Sequence, residues 1–160
     1  MARTEIILVA EDDPQDAFLL QRAFWKAGVS QAVHFVADGQ QAIDYLRGAP
    51  PFHNPSRHPF PVLLVLDLKL PKLSGLDVLT WLSRQPHLNR LPTVVLSGSQ
   101  DPEEIDLAYA FGADYCMLKP TGADQLVEAA RHLKRHWLNF PSALRTPTQS
   151  TSPAFLESRL

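Results

Sequence analysis

Residues 62–75 have the sequence VLLVLDLKLPKLSG, an apolar run that ends abruptly in a carboxylate. Residues 62–66 are all Val or Leu without polar alternation, which is typical of a strand buried on both faces of a parallel sheet. Asp67 follows at the carboxyl end, the edge at which open α/β sheets bind ligands. This stretch therefore predicts a central parallel strand and leaves two interpretations of Asp67 open, a site residue or a turn and cap residue.

The composition is that of one soluble globular domain. The chain has 160 residues, of which 45% are apolar and 20% charged. A formal net charge of −2 provides no general attraction to nucleic acid or to an anionic membrane, so neither is expected as a partner. The basic residues at 131–136 are interpreted as a solvated helix face.

The chain is expected to be cytoplasmic. Cys116 is the single cysteine, so no internal disulfide can form, which fits a reducing compartment. The apolar run at residues 5–10 is too short for a signal or membrane-spanning segment.

Short apolar runs alternate with helical patterns along the chain. Strands are predicted at 5–10, 33–37, 62–66, 93–96 and 115–118, and helices at 14–27, 39–47, 74–85, 102–111 and 123–139. This order predicts an α/β fold with a doubly wound, five-stranded parallel sheet and right-handed crossovers. The proline-rich stretch 49–61 is a long connection, and we expect residues 1–140 to form the domain and 141–160 a Ser/Thr/Pro-rich tail.

Polar side chains follow four of the predicted strands. Glu11 and Asp12 follow the first, Asp67 the third, Ser97 lies at the end of the fourth, and Lys119 follows the fifth. Carboxyl ends of parallel strands meet at one edge, so these groups are expected to share a cleft. Clustered carboxylates suit Mg²⁺ or Mn²⁺. A shielded carboxylate can then attack phosphorus and form an aspartyl phosphate, with the hydroxyl and the ammonium as donors to the phosphoryl oxygens.

The motifs ILVAEDD, VLLVLDLKLP, VVLSGS and YCMLKP occur in a familiar order and spacing. Over residues 6–139 the chain resembles the receiver domains of two-component response regulators. The resemblance implies a flavodoxin-like fold with strand order 2-1-3-4-5. It also implies a switch, not an enzyme in its own right, that accepts a phosphoryl group from a sensor histidine kinase in a Mg²⁺-dependent or Mn²⁺-dependent step.

The resemblance also implies a role for each metal-site residue. Asp67 is the phosphoacceptor and a metal ligand, and Asp12 is a direct ligand. Glu11 acts through water, and the backbone carbonyl of Lys69 is the third protein ligand.

The remaining roles concern the phosphoryl group and the switch. Ser97 hydrogen-bonds the phosphoryl group, Lys119 pairs with it, and the Lys119–Pro120 bond is expected to be cis. Receivers commonly carry a switch Tyr or Phe three residues before the lysine, and Cys116 stands there. Tyr115 should point to the opposite face of its strand and cannot replace that aromatic ring.

Partner surfaces follow from the same resemblance and from helix periodicity. The proline-rich connection 49–61 and the ending HWLNFPSAL resemble single-domain regulators that partner phytochromes and related sensor histidine kinases. No effector domain follows, so the output is expected to be contact with an unknown downstream protein or onward phosphotransfer. The expected kinase-docking residues on the first helix are Phe18, Arg22 and Trp25. A homodimer is expected through the fourth helix, fifth strand and fifth helix, with Leu107, Phe111, Trp137, Leu138 and Phe140 as its apolar residues.

Two other functions stay open. The chain could be a binding module with the receiver fold and no phosphorylation. It could also be a Mg²⁺-dependent phosphohydrolase of the haloacid-dehalogenase kind. Such an enzyme requires a second Asp two residues after the nucleophilic Asp, and in this sequence Lys69 occupies that position.

Overall fold

The computed structural model describes residues 4–88, 90–98 and 100–138. The strands are β1 Ile6–Ala10, β2 Ala32–Val36, β3 Leu63–Leu66, β4 Thr93–Ser97 and β5 Tyr115–Leu118. The helices are α1 Pro14–Lys26, α2 Gly39–Arg47, α3 Gly75–Ser83, α4 Pro102–Ala110 and α5 Ala123–Leu133. The predicted order of elements is confirmed, and every end except that of the last helix lies within two residues of its prediction. The predicted tail at 141–160 lies outside the described residues.

The sheet is parallel throughout, with strand order β2-β1-β3-β4-β5. The apolar pattern of residues 62–66 is explained by this topology, because β3 is a central strand and all four of its residues are buried. Helix α1 packs against α5, while α2 and α3 pack together and α3 contacts α4. The predicted doubly wound fold is confirmed. No helix in the described part of the chain is both long and apolar enough to cross a membrane.

The last helix differs from its prediction. Its α-helical part ends at Leu133 and a π-helical turn follows at Lys134–Leu138. Trp137 and Leu138 are each only 6% exposed and belong to the hydrophobic core. The expectation that these two residues offer apolar surface to a second copy is therefore wrong, because both side chains pack into the core of their own domain.

The expectation of a cis Lys119–Pro120 bond is also wrong. Within the described residues the single cis peptide bond joins Pro50 to Pro51. An X–Pro bond prefers the trans form by only about 0.5–1 kcal/mol, so the residue pair by itself does not determine the isomer.

The proline-rich connection is fastened to the domain by an aromatic cluster. The Tyr45 hydroxyl donates to the Pro59 carbonyl at 3.0 Å and lies 3.0 Å from Nδ1 of His34. The rings of Phe52 and His58 complete the cluster, with centroids 5.2 Å apart. The connection is thus packed against β2 and α2.

Asp114 fixes the start of β5 against β4. Its carboxylate accepts a hydrogen bond from the Thr93 backbone N–H at 2.7 Å, and its own N–H donates to the Thr93 carbonyl at 2.9 Å. Burial raises the pKa of Asp114 from 3.8 to about 6, although the Thr93 hydrogen bond opposes that shift. The folded protein therefore holds a proton at Asp114 that the unfolded chain has released between about pH 4 and pH 6.

The first prediction concerns the pH dependence of stability. Because the folded state binds the extra proton, the contribution of Asp114 to stability falls as pH rises from 4 through 6. Asp114→Asn keeps an acceptor for Thr93 but cannot ionise. We expect this variant to gain stability relative to wild type across that range, by a few kcal/mol at most, since one pKa unit corresponds to about 1.4 kcal/mol. Urea unfolding at pH 4, 5, 6 and 7 measures the difference, and a constant difference would contradict the prediction.

Candidate functional site

Strand pairing brings the acidic residues to one edge of the sheet. Ala10 at the end of β1 pairs with Leu66 at the end of β3. The Asp67 N–H donates to the Ala10 carbonyl at 3.2 Å, so Glu11 and Asp67 leave adjacent strands side by side. The backbone register therefore determines the position of both carboxylates.

Three carboxylates form a compact oxygen cluster. One oxygen from each of Glu11, Asp12 and Asp67 lies within 4.8 Å of the others. Glu11 is buried, Asp12 is exposed and the Asp67 side chain is 12% exposed. Glu11 also accepts the Asp13 N–H at 3.1 Å. The cluster is buried on the side of Glu11 and open to solvent on the side of Asp12. This arrangement suits a hydrated Mg²⁺ or Mn²⁺ ion bound by oxygen atoms alone.

The Lys119 ammonium binds the cluster from β5. It contacts a Glu11 oxygen in a short hydrogen bond, Asp16 Oδ2 at 3.0 Å and Asp67 Oδ2 at 3.4 Å. The predicted convergence of Glu11, Asp67 and Lys119 is therefore present. The contact of Asp16 with Lys119 was not predicted from the sequence, because Asp16 lies on α1 and follows no strand. The available signal was its place in the first turn of the helix that begins directly after the β1 acids.

Burial and charge shift the protonation equilibria in the cluster. Burial raises the pKa of Glu11 and of Asp67, although Lys119 opposes both shifts. Burial disfavours the charged form of Lys119, but its hydrogen bonds to Glu11 and Asp16 and the charge of Asp67 raise its pKa overall. The single ammonium is thus permanently charged, while the carboxylates around it carry a surplus of negative charge that a divalent cation would neutralise.

Ser97 lies at the end of β4 and is buried. Its carbonyl accepts the Lys119 N–H at 2.7 Å, so the hydroxyl-bearing residue and the lysine are joined through their backbones. A Cβ atom at the exposed Gly98 would meet nothing within 4 Å. The structure therefore places open space beside Ser97.

The connection after Asp67 is held against α2. Lys72 has a φ of 67° and its ammonium lies 3.5 Å from Oδ2 of Asp38, the residue that caps α2. The Gly39 N–H donates to the Pro71 carbonyl at 3.3 Å. A Cβ at Gly39 would lie 1.9 Å from the Leu73 carbonyl oxygen, so only glycine allows this close approach.

Lys69 lies within this connection. Its N–H donates to Asp67 Oδ1 at 3.2 Å, and its side chain is exposed. This bond fixes the chain direction just after the acid. The role of the Lys69 carbonyl as a metal ligand stays a prediction.

Cys116 occupies the switch position, where receivers commonly carry Tyr or Phe. Cys116 is buried, and its N–H donates to the Tyr109 hydroxyl of α4 at 3.0 Å. Burial raises the pKa of Tyr109 to about 12, so the hydroxyl stays protonated. Tyr115 points away, stacking on His132 and Trp137 with ring centroids 5.2 Å and 6.3 Å distant. The Tyr109 contact could not be predicted from the sequence, since only the packing of α4 on β5 reveals it.

The predicted partner surfaces are exposed only in part. On α1, Phe18 is 63% and Trp25 77% exposed, and Arg22 is exposed as well. On α4, Leu107 is 43% exposed, whereas Phe111 just beyond the helix is half-buried against the core. Phe140 lies outside the described residues.

Two solved structures that share this fold are described with red light or phytochrome signalling. The response regulator RPA3017, described in red light signalling of R. palustris, is 34% identical, with a TM-score of 0.80 over 84% of this chain and 94% of that one. The phosphorylated cyanobacterial phytochrome response regulator RcpA is 33% identical, with a TM-score of 0.78 over 86% of this chain and 96% of that one.

A curated relative shows the same likeness in sequence. The response regulator Rcp1 of Synechocystis is 28% identical over 134 residues, covering 84% of this chain and 89% of that protein. Its Mn²⁺-bound structure has a TM-score of 0.76 and 27% identity over 84% of this chain and 95% of that one.

The family model confirms what the strand ends and the lysine indicate. Residues 7–131 match the response regulator receiver domain, a range that includes the three carboxylates, Ser97 and Lys119. The protein therefore belongs to the response regulator receiver domain family.

Proposed function

We propose that this protein is a phosphorylation switch in which Asp67 accepts a phosphoryl group from a sensor histidine kinase. One observation carries the proposal: the Lys119 ammonium lies 3.4 Å from Asp67 Oδ2, at a sheet edge that also holds the carboxylates of Glu11 and Asp12. A nucleophilic carboxylate, a cation-binding oxygen set and a fixed ammonium are the groups that phosphoryl transfer to an acid requires.

The proposed reaction transfers phosphorus from nitrogen to oxygen. An Asp67 oxygen forms a bond to phosphorus while the bond between phosphorus and the kinase imidazole breaks, and the imidazole takes up a proton. Lys119 pairs with the phosphoryl oxygens and Ser97 donates a hydrogen bond to them, which stabilises the charge on the transferred group.

Asp12, Asp67 and the Lys69 carbonyl would hold a Mg²⁺ or Mn²⁺ ion, with Glu11 acting through water. When bound, the cation reduces repulsion between the carboxylates and the incoming phosphoryl group. The oxygen-only donor set supports this assignment, and the Mn²⁺-bound form of Rcp1 supports it from a relative.

We propose a phytochrome-type sensor histidine kinase as the partner, because RcpA is described as a phytochrome response regulator and RPA3017 as part of red light signalling. Phe18, Arg22 and Trp25 on α1 are the proposed docking residues, since α1 starts beside the acidic cluster and exposes these side chains. Cys116 is buried and is the single cysteine of the sequence, so no internal disulfide can form, which fits a cytoplasmic setting.

The alternatives are less well supported. A haloacid-dehalogenase-type hydrolase needs an acid two residues after the nucleophile, and the exposed Lys69 stands there. A binding module without phosphorylation gives no reason to bury Glu11 beside Lys119, an arrangement that carries a desolvation cost. We propose no enzymatic activity beyond the protein's own phosphorylation and dephosphorylation.

The second prediction tests phosphorylation itself. Incubation with Mg²⁺ and phosphoramidate should add one phosphoryl group, detected by intact mass, because Asp67 is the nucleophile. Asp67→Asn should show no addition, whereas the matched control Asp44→Asn, an acid on α2, should behave as wild type. Chelation of Mg²⁺ should suppress the addition. Phosphate on the Asp67→Asn variant would contradict the assignment, and turnover of a phosphoester would support the hydrolase.

The third prediction tests docking. Trp25→Ala should slow phosphotransfer from any histidine kinase that phosphorylates the wild type by about tenfold, since tryptophan is enriched among the few interface residues whose truncation costs more than about 1 kcal/mol. Phosphorylation by phosphoramidate should be unchanged, because Trp25 lies far along α1 from the acids. Phe60→Ala, at an exposed ring outside α1, is the control. Equal loss with both phosphodonors would place the defect in the site, not in docking.

The fourth prediction tests the proposed homodimer. With Trp137 and Leu138 buried, the α4 side of the proposed interface offers Leu107 and the half-buried Phe111. Leu107→Glu places a charge on this face and should shift sedimentation of the phosphorylated protein toward the monomer. Phe60→Glu, which changes an exposed phenylalanine outside α4, should not. A dimer that persists in Leu107→Glu would refute the proposed interface.

A further inference from the structure

The Lys119 ammonium has three carboxylate partners, which is as many as it has N–H donors. Glu11 and Asp67 directly follow β1 and β3, the strands whose carboxyl ends form the site. Asp16 is different, because it reaches the same nitrogen from the first turn of α1 at 3.0 Å. The proposed reaction gives Asp16 no role, so its contact with the lysine requires an explanation.

The three partners differ in their access to water. The side chains of Glu11 and Asp67 are 6% and 12% exposed, whereas that of Asp16 is 42% exposed. Removing the ammonium from Glu11 would leave a buried carboxylate without its counter-ion, which is strongly destabilising. Asp16 can be hydrated when it is released, and an ion pair this exposed contributes little. Asp16 is therefore the partner that Lys119 can exchange at the lowest cost.

We infer that Asp16 is a positioning residue that holds Lys119 in the unphosphorylated protein and releases it when Asp67 is phosphorylated. The inference rests on the proposed function. Phosphorylation converts the Asp67 carboxylate, one of the three present partners, into an acyl phosphate with several negatively charged oxygens, and the ammonium has only three N–H groups. A phosphoryl group that takes more than the one N–H now directed at Asp67 displaces a second partner, and exposure selects Asp16.

The release also changes the charge of α1. In the unphosphorylated protein the charge of the Asp16 carboxylate is partly compensated by the Lys119 ammonium at 3.0 Å. Once released, it carries an uncompensated charge in the first turn of the helix that exposes Phe18 and Trp25. The phosphorylation state of Asp67 would thus alter the electrostatic environment of the docking helix without any movement of its backbone.

The test compares wild type with Asp16→Asn. The substitution leaves the helix cap in place, because Asp13 caps α1 through the backbone N–H groups of Gln15 and Asp16. Asp124→Asn is the matched control, since Asp124 is an exposed acid in the first turn of α5. Asp16→Ser provides a second variant should the amide perturb folding.

The first readout follows Lys119 directly. NMR of the lysine ¹³Cε–¹Hε groups, assigned with Lys119→Arg, is recorded for the free protein and with Mg²⁺ and beryllofluoride, a phosphoryl mimic. Asp16→Asn should shift the Lys119 signal in the free protein, and the difference should disappear in the beryllofluoride complex. Asp124→Asn should shift it in neither state. A difference that persists in the complex, or that is absent from the free protein, would overturn the inference.

The second readout is the affinity for beryllofluoride at saturating Mg²⁺. Without a competing partner for Lys119, Asp16→Asn should bind the mimic about two- to fivefold more tightly than wild type, the range expected for loss of an exposed ion pair. Unchanged or weaker binding of the mimic by Asp16→Asn would contradict the proposed role of Asp16 and leave the phosphoacceptor function intact. Failure of the wild type to bind beryllofluoride would instead refute the phosphoacceptor function, and the Asp16 inference with it.

Discussion

The structure depends on one electrostatic constraint, the placement of several carboxylates and a single ammonium at the edge of a sheet. Glu11 is buried, and its short contact with Lys119 supplies the counter-ion that a buried carboxylate needs. The same ammonium reaches Asp67, so the lysine links the β1 and β3 ends through its side chain. The cluster retains a negative surplus that favours a divalent cation.

The sheet satisfies this constraint through register. Because all strand pairs are parallel, each strand delivers its last residues to the same side, and backbone hydrogen bonds continue past the strand ends. The Asp67 N–H bonds to Ala10 and the Lys119 N–H to Ser97, so the site residues are held by the ladder itself. Because these backbone hydrogen bonds extend beyond the strand ends, strands of four or five residues are long enough to hold the site residues in place.

This dependence on strand ends determines what the sequence could predict. An apolar run followed by an acid, as at residues 62–67, specifies both a buried strand and the edge at which the acid emerges, so the fold and the convergence of Glu11, Asp67 and Lys119 followed from the pattern. Contacts made by helices were not accessible, because they depend on how far each helix is rotated about its axis when it packs on the sheet. Asp16 and Tyr109 were missed for that reason. Trp137 lies four residues after the buried Leu133, a helical spacing, so the sequence pattern did predict that the two share a face, and assigning Trp137 to an outer surface disregarded that pattern.

The contacts that the sequence could not predict are the ones that connect the site to the surface. Toward α1, the connection runs through a charge, from Asp67 to Lys119 to Asp16. Toward α4, it runs through the backbone of β5, where the Cys116 N–H bonds to Tyr109 three residues before the lysine. An aromatic side chain at position 116 would act by changing its rotamer, whereas the bond from the Cys116 N–H to the Tyr109 hydroxyl depends on the position of β5 and on the rotamer of Tyr109 on α4. The α4 face of this receiver therefore contacts the fifth strand through Tyr109, and the α1 face contacts the acidic cluster through the ion pair of Asp16 and Lys119.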